Sequence, residues 1–210
     1  MKHKVFMDFD ETITMSIKAF VDVYREIHKE EIKRGEIPYP IWDDVFTWNM
    51  RCEMPKLTIA EIDQIFDSER MFDNLAFYAD MDGYSMQDLL AELFDIEDVD
   101  LRIASKGNPF NLLYKKLFIM QNLPFFPIEN FIPMEGTIMD KSELEGLILC
   151  DDHEDNLYTA NVKYKILVNF SGEIKEWNAR AMQDDNIYKC CTVESLANTI
   201  NTLLDFERMR

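Results

Sequence analysis

The chain has 210 residues, of which 47% are hydrophobic and 30% are charged, as is typical of a folded globular protein. This length corresponds to one domain with a large insertion or to two small domains. The net charge of −18 at pH 7 argues against binding to duplex nucleic acid or to anionic membranes, because both repel an acidic surface. The four cysteines lack C-x-x-C spacing, and no apolar run reaches the length of a membrane span. We therefore expect a cytoplasmic protein with reduced thiols and no membrane partner.

The first predicted strand ends in acidic residues. Its apolar run, Val5-Phe6-Met7, stops at Asp8-Phe9-Asp10-Glu11-Thr12. A short apolar run that ends abruptly in acids is typical of a buried parallel strand whose carboxyl end carries polar groups.

The next part of the chain has helical patterns and no convincing strand. Apolar residues recur at helical spacing from Ile17 to about Lys33, and Gly35 then ends the helix. Thr58-Ile59-Ala60-Glu61 has the pattern of a capping box, and a further helix is predicted after Ser85. We interpret residues 14–98 as a helical cap inserted after the first strand.

Strands and helices alternate in the remaining part of the chain. Strands are predicted at 101–104, 131–133, 147–150 and 166–168, helices are predicted at 111–121 and from about Thr192, and Ser105-Lys106-Gly107-Asn108-Pro109 is predicted to form a polar turn. This alternation predicts an α/β protein with a doubly wound parallel sheet. Its core would comprise residues 1–13 and 99–210.

Polar side chains follow three of the predicted strands. They are Asp8 and Asp10, then Ser105, then Asp151 and Asp152. In such sheets ligands bind outside the carboxyl ends of the strands, so we expect these side chains to converge. Clustered carboxylates suit Mg²⁺, since like charges raise each other's pKa unless a cation is present. A carboxylate there can attack a phosphorus atom, while a second one transfers protons.

These residues resemble the motifs of the haloacid dehalogenase superfamily of phosphatases. Residues 8–12 are similar to its D-x-D-x-T signature, and Ser105, Lys141 and Asp151-Asp152 are similar to its second, third and fourth motifs, in the family order. The stretch from Asp140 to Asp152 is similar to the D-K-[ST]…D-L-L-I-D-D stretch of the 5′(3′)-deoxyribonucleotidases. The region Phe72-Asp73-Asn74-Leu75 is similar to the lid of that subfamily.

The resemblance implies a Rossmann-like core and a role for each motif. Asp8 would be the nucleophile and a Mg²⁺ ligand, and Asp10 would be the general acid and base, with its backbone carbonyl also at the metal. Lys141 and Ser105 would hold the phosphoryl group. Asp151 and Asp152 would complete the metal site, and which of the two ligates directly is left open. The residues that would contact the substrate are Thr12, Ser105, Lys106 and Phe72.

Two positions depart from the family pattern and bear on the substrate. Glu11 stands where many members have glycine, and Lys106 stands where the nucleotidases have a smaller residue. The resemblance implies a Mg²⁺-dependent phosphomonoesterase that hydrolyses (deoxy)nucleoside monophosphates through an aspartyl phosphate. Two alternatives stay open: the substrate is another small phosphomonoester such as a sugar phosphate, or the protein is a non-catalytic Mg²⁺-binding interaction module. A homodimer also stays open.

Aromatic residues of the cap have two interpretations. They can stack on a nucleobase, because any base offers a flat face, or they can form the core of the cap. The residues concerned are Trp42, Phe46, Trp48, Phe72 and Phe77.

Overall fold

A computed structural model describes residues 2–54, 56–136 and 141–210 of the protein, so Asp140, the first residue of the nucleotidase-like stretch, lies outside the described residues. The core is a six-stranded parallel sheet of order β3-β2-β1-β4-β5-β6. Its strands are β1 (His3–Met7), β2 (Val99–Gly107), β3 (Phe131–Glu135), β4 (Glu145–Asp151), β5 (Asn161–Val168) and β6 (Tyr188–Cys190). The prediction of an α/β fold with a doubly wound parallel sheet is confirmed. The strand order reverses on either side of β1, which places the carboxyl ends of β2, β1 and β4 side by side.

The helices fall into two groups along the chain. Between β1 and β2 lie α1 (Ser16–Ile27), α2 (Lys29–Lys33), α3 (Met50–Glu53), α4 (Ile59–Phe66), α5 (Glu69–Asp73) and α6 (Met86–Asp95). After β2 lie α7 (Pro109–Asn122), α8 (Glu154–Thr159) and α9 (Val193–Arg208). The described residues between β1 and β2 contribute isolated bridges but no strand to the sheet. The boundaries of the predicted cap at residues 14 and 98 stay a prediction.

Local sequence signals explain where several helices begin and end. The Thr58 hydroxyl accepts a hydrogen bond from the backbone N–H of Glu61, whose carboxylate accepts one from the Thr58 N–H in return. Ser85 and Asp88 form the same kind of capping box at α6. Gly35 follows α2 with a φ of +74°, a conformation that glycine adopts without strain.

Two parts of the sheet differ from the sequence-based prediction. The predicted turn at Ser105-Lys106-Gly107 is wrong, because these residues continue β2 and pair with Pro133, Met134 and Glu135 of β3. Pro133 is compatible with β3 because β3 is an edge strand, the part of a sheet in which proline is mainly found. The three-residue strand β6 was not predicted, since it is too short to show an alternating pattern.

Alternate residues of the central strands pack on opposite faces of the sheet. Val5 and Met7 of β1 belong to the larger hydrophobic core, which also contains buried residues of α1 and α6. Phe6 of β1 and Leu149 of β4 belong to a smaller core on the other face. Both faces of β1 are therefore covered, as expected for a central parallel strand. None of the helices in the described ranges has both the length and the apolar character needed to cross a membrane.

Candidate active site

Three buried carboxylates meet where β1 and β4 end. Asp8 directly follows β1 and Asp151 is the last residue of β4, and the Asp8 N–H donates a hydrogen bond of 2.9 Å to the Cys150 carbonyl. One carboxylate oxygen each from Asp8, Asp151 and Asp152 lies within 4.8 Å of the others, and all three residues are buried. The parallel pairing of these two strands thus gathers acids that are far apart in the sequence.

Lys141 lies between two of these carboxylates. It begins a short 3-10 helix, Lys141–Glu143, and its side chain is fully buried. Its ammonium donates hydrogen bonds to Asp8 Oδ1 and to Asp151 Oδ2. Burial lowers the pKa of Lys141, but the neighbouring carboxylates of Asp151 and Asp8 outweigh this effect and hold its pKa above the ordinary value. Lys141 is therefore a permanent positive charge in this group.

The carboxylates carry more negative charge than this one lysine offsets. Burial, together with the charges of Asp151 and Asp10, raises the pKa of Asp8 to about 7 although Lys141 lowers it. Burial and the charges of Asp151 and Asp8 raise the pKa of Asp152 well above its usual range. Asp152 Oδ2 is also buried and has no hydrogen-bond partner within the described part of the chain. A hard divalent cation such as Mg²⁺ fits this set of oxygen donors, because it would pair with the excess charge and with the orphaned oxygen.

Asp10 is held by partners outside this carboxylate group. Its Oδ2 accepts a hydrogen bond from the Lys115 ammonium, and its Oδ1 accepts one of 2.7 Å from the Ser16 hydroxyl. Asp10 nevertheless lines the same cavity as Asp8. The structure therefore brings both acids of the first motif to one site but gives their side chains different surroundings.

Lys115 is a site residue that the sequence analysis missed. It lies on α7 with 1% of its surface exposed, and its ammonium also donates to Ser105 Oγ and to the Lys106 carbonyl, at 2.9 Å each. Leu112 and Phe118, three residues before and after it, are buried as well. The sequence signal that could have identified Lys115 is its position within the apolar stripe of an amphipathic helix.

The other predicted residues of β2 have defined partners. Ser105 is fully buried and its hydroxyl accepts the hydrogen bond from Lys115. The Lys106 ammonium donates to Asn156 Oδ1 at 2.8 Å, and Asn156 Nδ2 donates to Asp151 Oδ1 at 3.0 Å. Asn156, also missed from the sequence, therefore links Lys106 to the carboxylate group.

Thr12 and Phe72 are not among the residues that line the cavity described below. The Thr12 hydroxyl is buried and has no hydrogen-bond partner among the described residues. Phe72 stacks on Tyr114 of α7, with ring centroids 5.4 Å apart, and it does not line the cavity described below. Contact between these two residues and a substrate stays a prediction.

The site opens into a cavity of about 280 Å³. Acidic, basic and aromatic side chains share its wall, and its lining residues are Asp8, Asp10, Trp48, Lys106, Lys141, Asp152, His153, Asp155 and Asn156. The Trp48 indole N–H is buried and has no hydrogen-bond partner in the described ranges. The cavity wall thus combines charged groups with one aromatic ring.

The segment that carries Trp48 docks on a loop after β5. The Glu176 N–H donates to the Phe46 carbonyl at 3.0 Å, and the Lys175 ammonium donates to the Asp43 carbonyl at 2.6 Å. The rings of Trp48 and Trp177 lie 5.4 Å apart. These contacts between residues 43–48 and 175–177 form what we term the seam, and they hold one wall of the cavity in place.

Glu11 adopts a backbone conformation that favours glycine. Its φ is +52°, in the left-handed region that glycine adopts most easily. Its carboxylate accepts hydrogen bonds from the Ile17 N–H, at 2.7 Å, and from the Tyr78 hydroxyl. Burial raises the pKa of Glu11 to about 7 although both hydrogen bonds lower it. These two hydrogen bonds connect the loop after β1 to the start of α1 and to the segment that precedes α6.

Comparison with known proteins identifies the fold. No protein-family model matches the chain, and no curated protein sequence matches it. Solved structures do match. One is a haloacid dehalogenase-like hydrolase from Streptococcus pneumoniae, with a TM-score of 0.59 and 16% sequence identity. The match covers 94% of this chain and 98% of the chain of that protein.

Two further structures give the same result. A predicted phosphatase from Clostridium acetobutylicum has a TM-score of 0.61 at 14% identity, with 96% of this chain and 99% of its own covered. A candidate HAD-hydrolase from Bacillus subtilis, solved bound to magnesium, has a TM-score of 0.53 at 14% identity. That match covers 95% of this chain and 99% of the chain of the Bacillus subtilis protein. The chain therefore has the fold of haloacid dehalogenase-like hydrolases over nearly its whole length.

Proposed function

We propose that the protein is a Mg²⁺-dependent phosphomonoesterase that forms an aspartyl phosphate on Asp8. The observation that carries this proposal is the Asp8 carboxylate, which is buried, bound by Lys141 and adjacent to a cavity at the carboxyl edge of the sheet. Asp10, the second carboxylate that the reaction requires, lines the same cavity. The shared fold with solved hydrolases and phosphatases supports the assignment.

Asp8 acts as the nucleophile in this proposal. Lys141 binds its Oδ1, so we assign the attack on phosphorus to Oδ2. A bond forms between this oxygen and phosphorus while the bond from phosphorus to the leaving oxygen breaks. Lys141 restrains the carboxylate in one orientation, which removes part of the entropic cost of reaching the transition state.

Asp10 moves the protons of both half-reactions. Its carboxyl group donates a proton to the leaving oxygen, which departs as an alcohol. The resulting carboxylate then accepts a proton from the water that hydrolyses the aspartyl phosphate. Phosphate is released and both aspartates return to their starting states.

The buried carboxylates of Asp8, Asp151 and Asp152 would hold the Mg²⁺ ion. When bound, the ion supplies positive charge that offsets the negative charge of the phosphoryl group. The magnesium bound to the Bacillus subtilis protein of the same fold supports this choice of metal.

We further propose that the substrate is a (deoxy)nucleoside monophosphate. Trp48 supports this, because it gives the cavity wall an aromatic ring, and a base offers a flat face on which such a ring can stack. A sugar phosphate is the second candidate, and the polar part of the cavity wall supports it, since Lys106, Asp155 and Asn156 can all bind hydroxyl groups.

The free state of all four cysteines supports a cytoplasmic location.

The test is phosphate release from a panel of nucleoside and sugar monophosphates, with Mg²⁺ and with EDTA. We expect hydrolysis that requires Mg²⁺ and prefers nucleotides, and we expect Asp8→Asn to lower kcat by at least about 10³-fold. Asp63→Asn, on an exposed position of α4, is the matched control and keeps full activity. Full activity of Asp8→Asn would refute the mechanism. A clear preference for sugar phosphates would refute the nucleotide assignment alone.

A further inference from the structure

Lys115 is the buried cation of the site that the mechanism above leaves without a role. Its ammonium donates to three acceptors: Asp10 Oδ2, Ser105 Oγ and the Lys106 carbonyl. An ammonium group has three N–H donors, so these three bonds use all of them. Lys115 is therefore saturated by protein groups, and it does not line the cavity. This arrangement is that of a group that fixes its neighbours, not of a group that binds the phosphate.

The two carboxyl oxygens of Asp10 have different hydrogen-bond partners, so one is fixed in place and the other is able to carry a proton. Oδ2 is anchored by Lys115, whereas among the described residues Oδ1 accepts only from the mobile hydrogen of the Ser16 hydroxyl. The Ser16 hydroxyl also lies 3.1 Å from Thr14 Oγ1, which is a second acceptor for that hydrogen. Oδ1 can therefore carry a proton while Oδ2 stays bound to Lys115.

We propose that Lys115 is a positioning residue that holds Asp10 for proton donation to the leaving group. This inference rests on the proposed phosphomonoesterase function. As the bond from phosphorus to the leaving oxygen breaks, the proton on Asp10 Oδ1 passes to that oxygen, giving an alcohol and an Asp10 carboxylate. The charge that develops on Asp10 lies beside a fixed ammonium, which stabilises it without any rearrangement of solvent.

Substrates with different leaving groups distinguish a role of Lys115 in proton donation from a purely structural role. An alkyl phosphate, such as a nucleoside monophosphate, needs a proton on its departing oxygen. Para-nitrophenyl phosphate does not, because para-nitrophenolate is a stable anion. Loss of Asp10 positioning therefore lowers kcat/KM for the alkyl substrate selectively, whereas general damage to the site lowers kcat/KM for both substrates alike.

The experiment compares kcat/KM for both substrates in wild type, Lys115→Met, Asp10→Asn and the exposed control Lys116→Met from the same helix. We expect the ratio of alkyl to aryl kcat/KM to fall by about 10²-fold in Lys115→Met and in Asp10→Asn. The ratio in Lys116→Met equals that of wild type. An unchanged ratio in Lys115→Met, with a lowered ratio in Asp10→Asn, overturns the proposal.

The double variant Asp10→Asn/Lys115→Met keeps the proposal testable if Lys115→Met fails to fold, since it leaves no unpaired buried charge. Because Lys115 acts through Asp10, the double variant is expected to match Asp10→Asn in the ratio. A further fall of about tenfold or more would show an independent role and overturn the proposal. Far-ultraviolet circular dichroism and thermal unfolding establish which variants fold.

The two proposals fail in different ways. A wild-type protein that is inactive on every monophosphate with Mg²⁺ overturns the proposed function and the role of Lys115 together. An active wild type in which Lys115→Met leaves the ratio unchanged overturns only the role of Lys115.

Discussion

Asp8 and Lys141 form a buried ion pair across 133 residues of sequence. Asp8 is placed by the end of the central strand β1, and Lys141 comes from the short 3-10 helix that precedes β4. The pair therefore depends on the parallel pairing of β1 with β4. The fold and the site are therefore coupled through this ion pair.

Replacing Lys141 removes the counterion of two buried carboxylates. Without metal, Lys141→Met is expected to lower the free energy of unfolding by about 3 kcal/mol, because unpaired buried charge is costly. Excess Mg²⁺ should restore part of this loss. Chemical denaturation with EDTA and with Mg²⁺ measures both effects, and Lys33→Met, at an exposed position of α2, is the control. Equal stability of Lys141→Met and wild type in EDTA would contradict the role of the ion pair.

Mg²⁺ binding is expected to stabilise the folded protein through Asp152. A concentration of 100 times Kd adds about 2.7 kcal/mol, which corresponds to a Tm increase of about 5–10 °C for a chain of this size. Asp152→Asn should lose more than half of this increase. Asp155→Asn, an exposed acid in the wall of the same cavity, should keep it. Thermal unfolding across a Mg²⁺ titration tests this, and an equal increase in Asp152→Asn would place the ion elsewhere.

Glu11 is expected to make the metal-free protein less stable as pH rises. Burial raises its pKa from 4.5 to about 7 in the folded state, so between these values the unfolded chain loses a proton that the folded chain keeps. The free energy of unfolding therefore falls across this window and levels off above it. Glu11→Gln should remove this penalty and be more stable than wild type by about 1–2 kcal/mol at about pH 8, with little difference near about pH 4.

Urea denaturation of both proteins in EDTA over this pH range provides the measurement. Glu69→Gln, at an exposed position of α5, serves as the control and should follow wild type. A stability difference that is constant with pH would show that the ionisation of Glu11 is not its cause.

Gly146 permits the close approach of β4 to β1. A Cβ atom at this position would lie 2.6 Å from Cε2 of Phe6 and 3.2 Å from the carbonyl oxygen of Lys4. Gly146→Ala is therefore expected to lower the free energy of unfolding by about 1–3 kcal/mol. At Gly136 an added Cβ meets no atom of the described residues within 4 Å, so Gly136→Ala is the matched control. Chemical denaturation compares the two, and equal stabilities would contradict the close packing.

Trp48 is expected to contribute to nucleotide binding through its indole ring. Trp48→Leu removes the aromatic face, so KM for a nucleoside monophosphate should rise by about 5-fold or more while kcat changes little. Trp42→Leu is the control, because Trp42 lies outside the lining of the cavity. Steady-state kinetics measures this, and an unchanged KM would exclude stacking of the substrate on Trp48.

The central features of the fold and the site were predictable from the sequence. Apolar runs that stop at Asp8 and at Asp151 indicate strands with polar carboxyl ends, and the rules of parallel sheets bring such ends together. Lys115 was not predictable in the same way, since no local pattern tells which acceptors a helical lysine will meet. Its partners, Asp10 and Ser105, belong to two other elements. β6 was missed because three residues carry no periodic signal.

The docking of residues 43–48 on residues 175–177 was also beyond sequence reasoning. It depends on single contacts between irregular segments, such as the hydrogen bond from the Glu176 N–H to the Phe46 carbonyl. Such contacts follow no periodicity, so only the folded structure reveals them.

This seam also gives the protein a built-in optical probe. The chain has three tryptophans, of which Trp48 and Trp177 face each other across the seam, while Trp42 and Trp177 both line a neighbouring small cavity. Indole fluorescence responds to polarity and to nearby quenching groups, and every indole of the molecule lies in this one region. The emission spectrum of the unlabelled protein therefore reports on the seam and the cavities beside it, so occupancy of these cavities can be followed without attaching a dye.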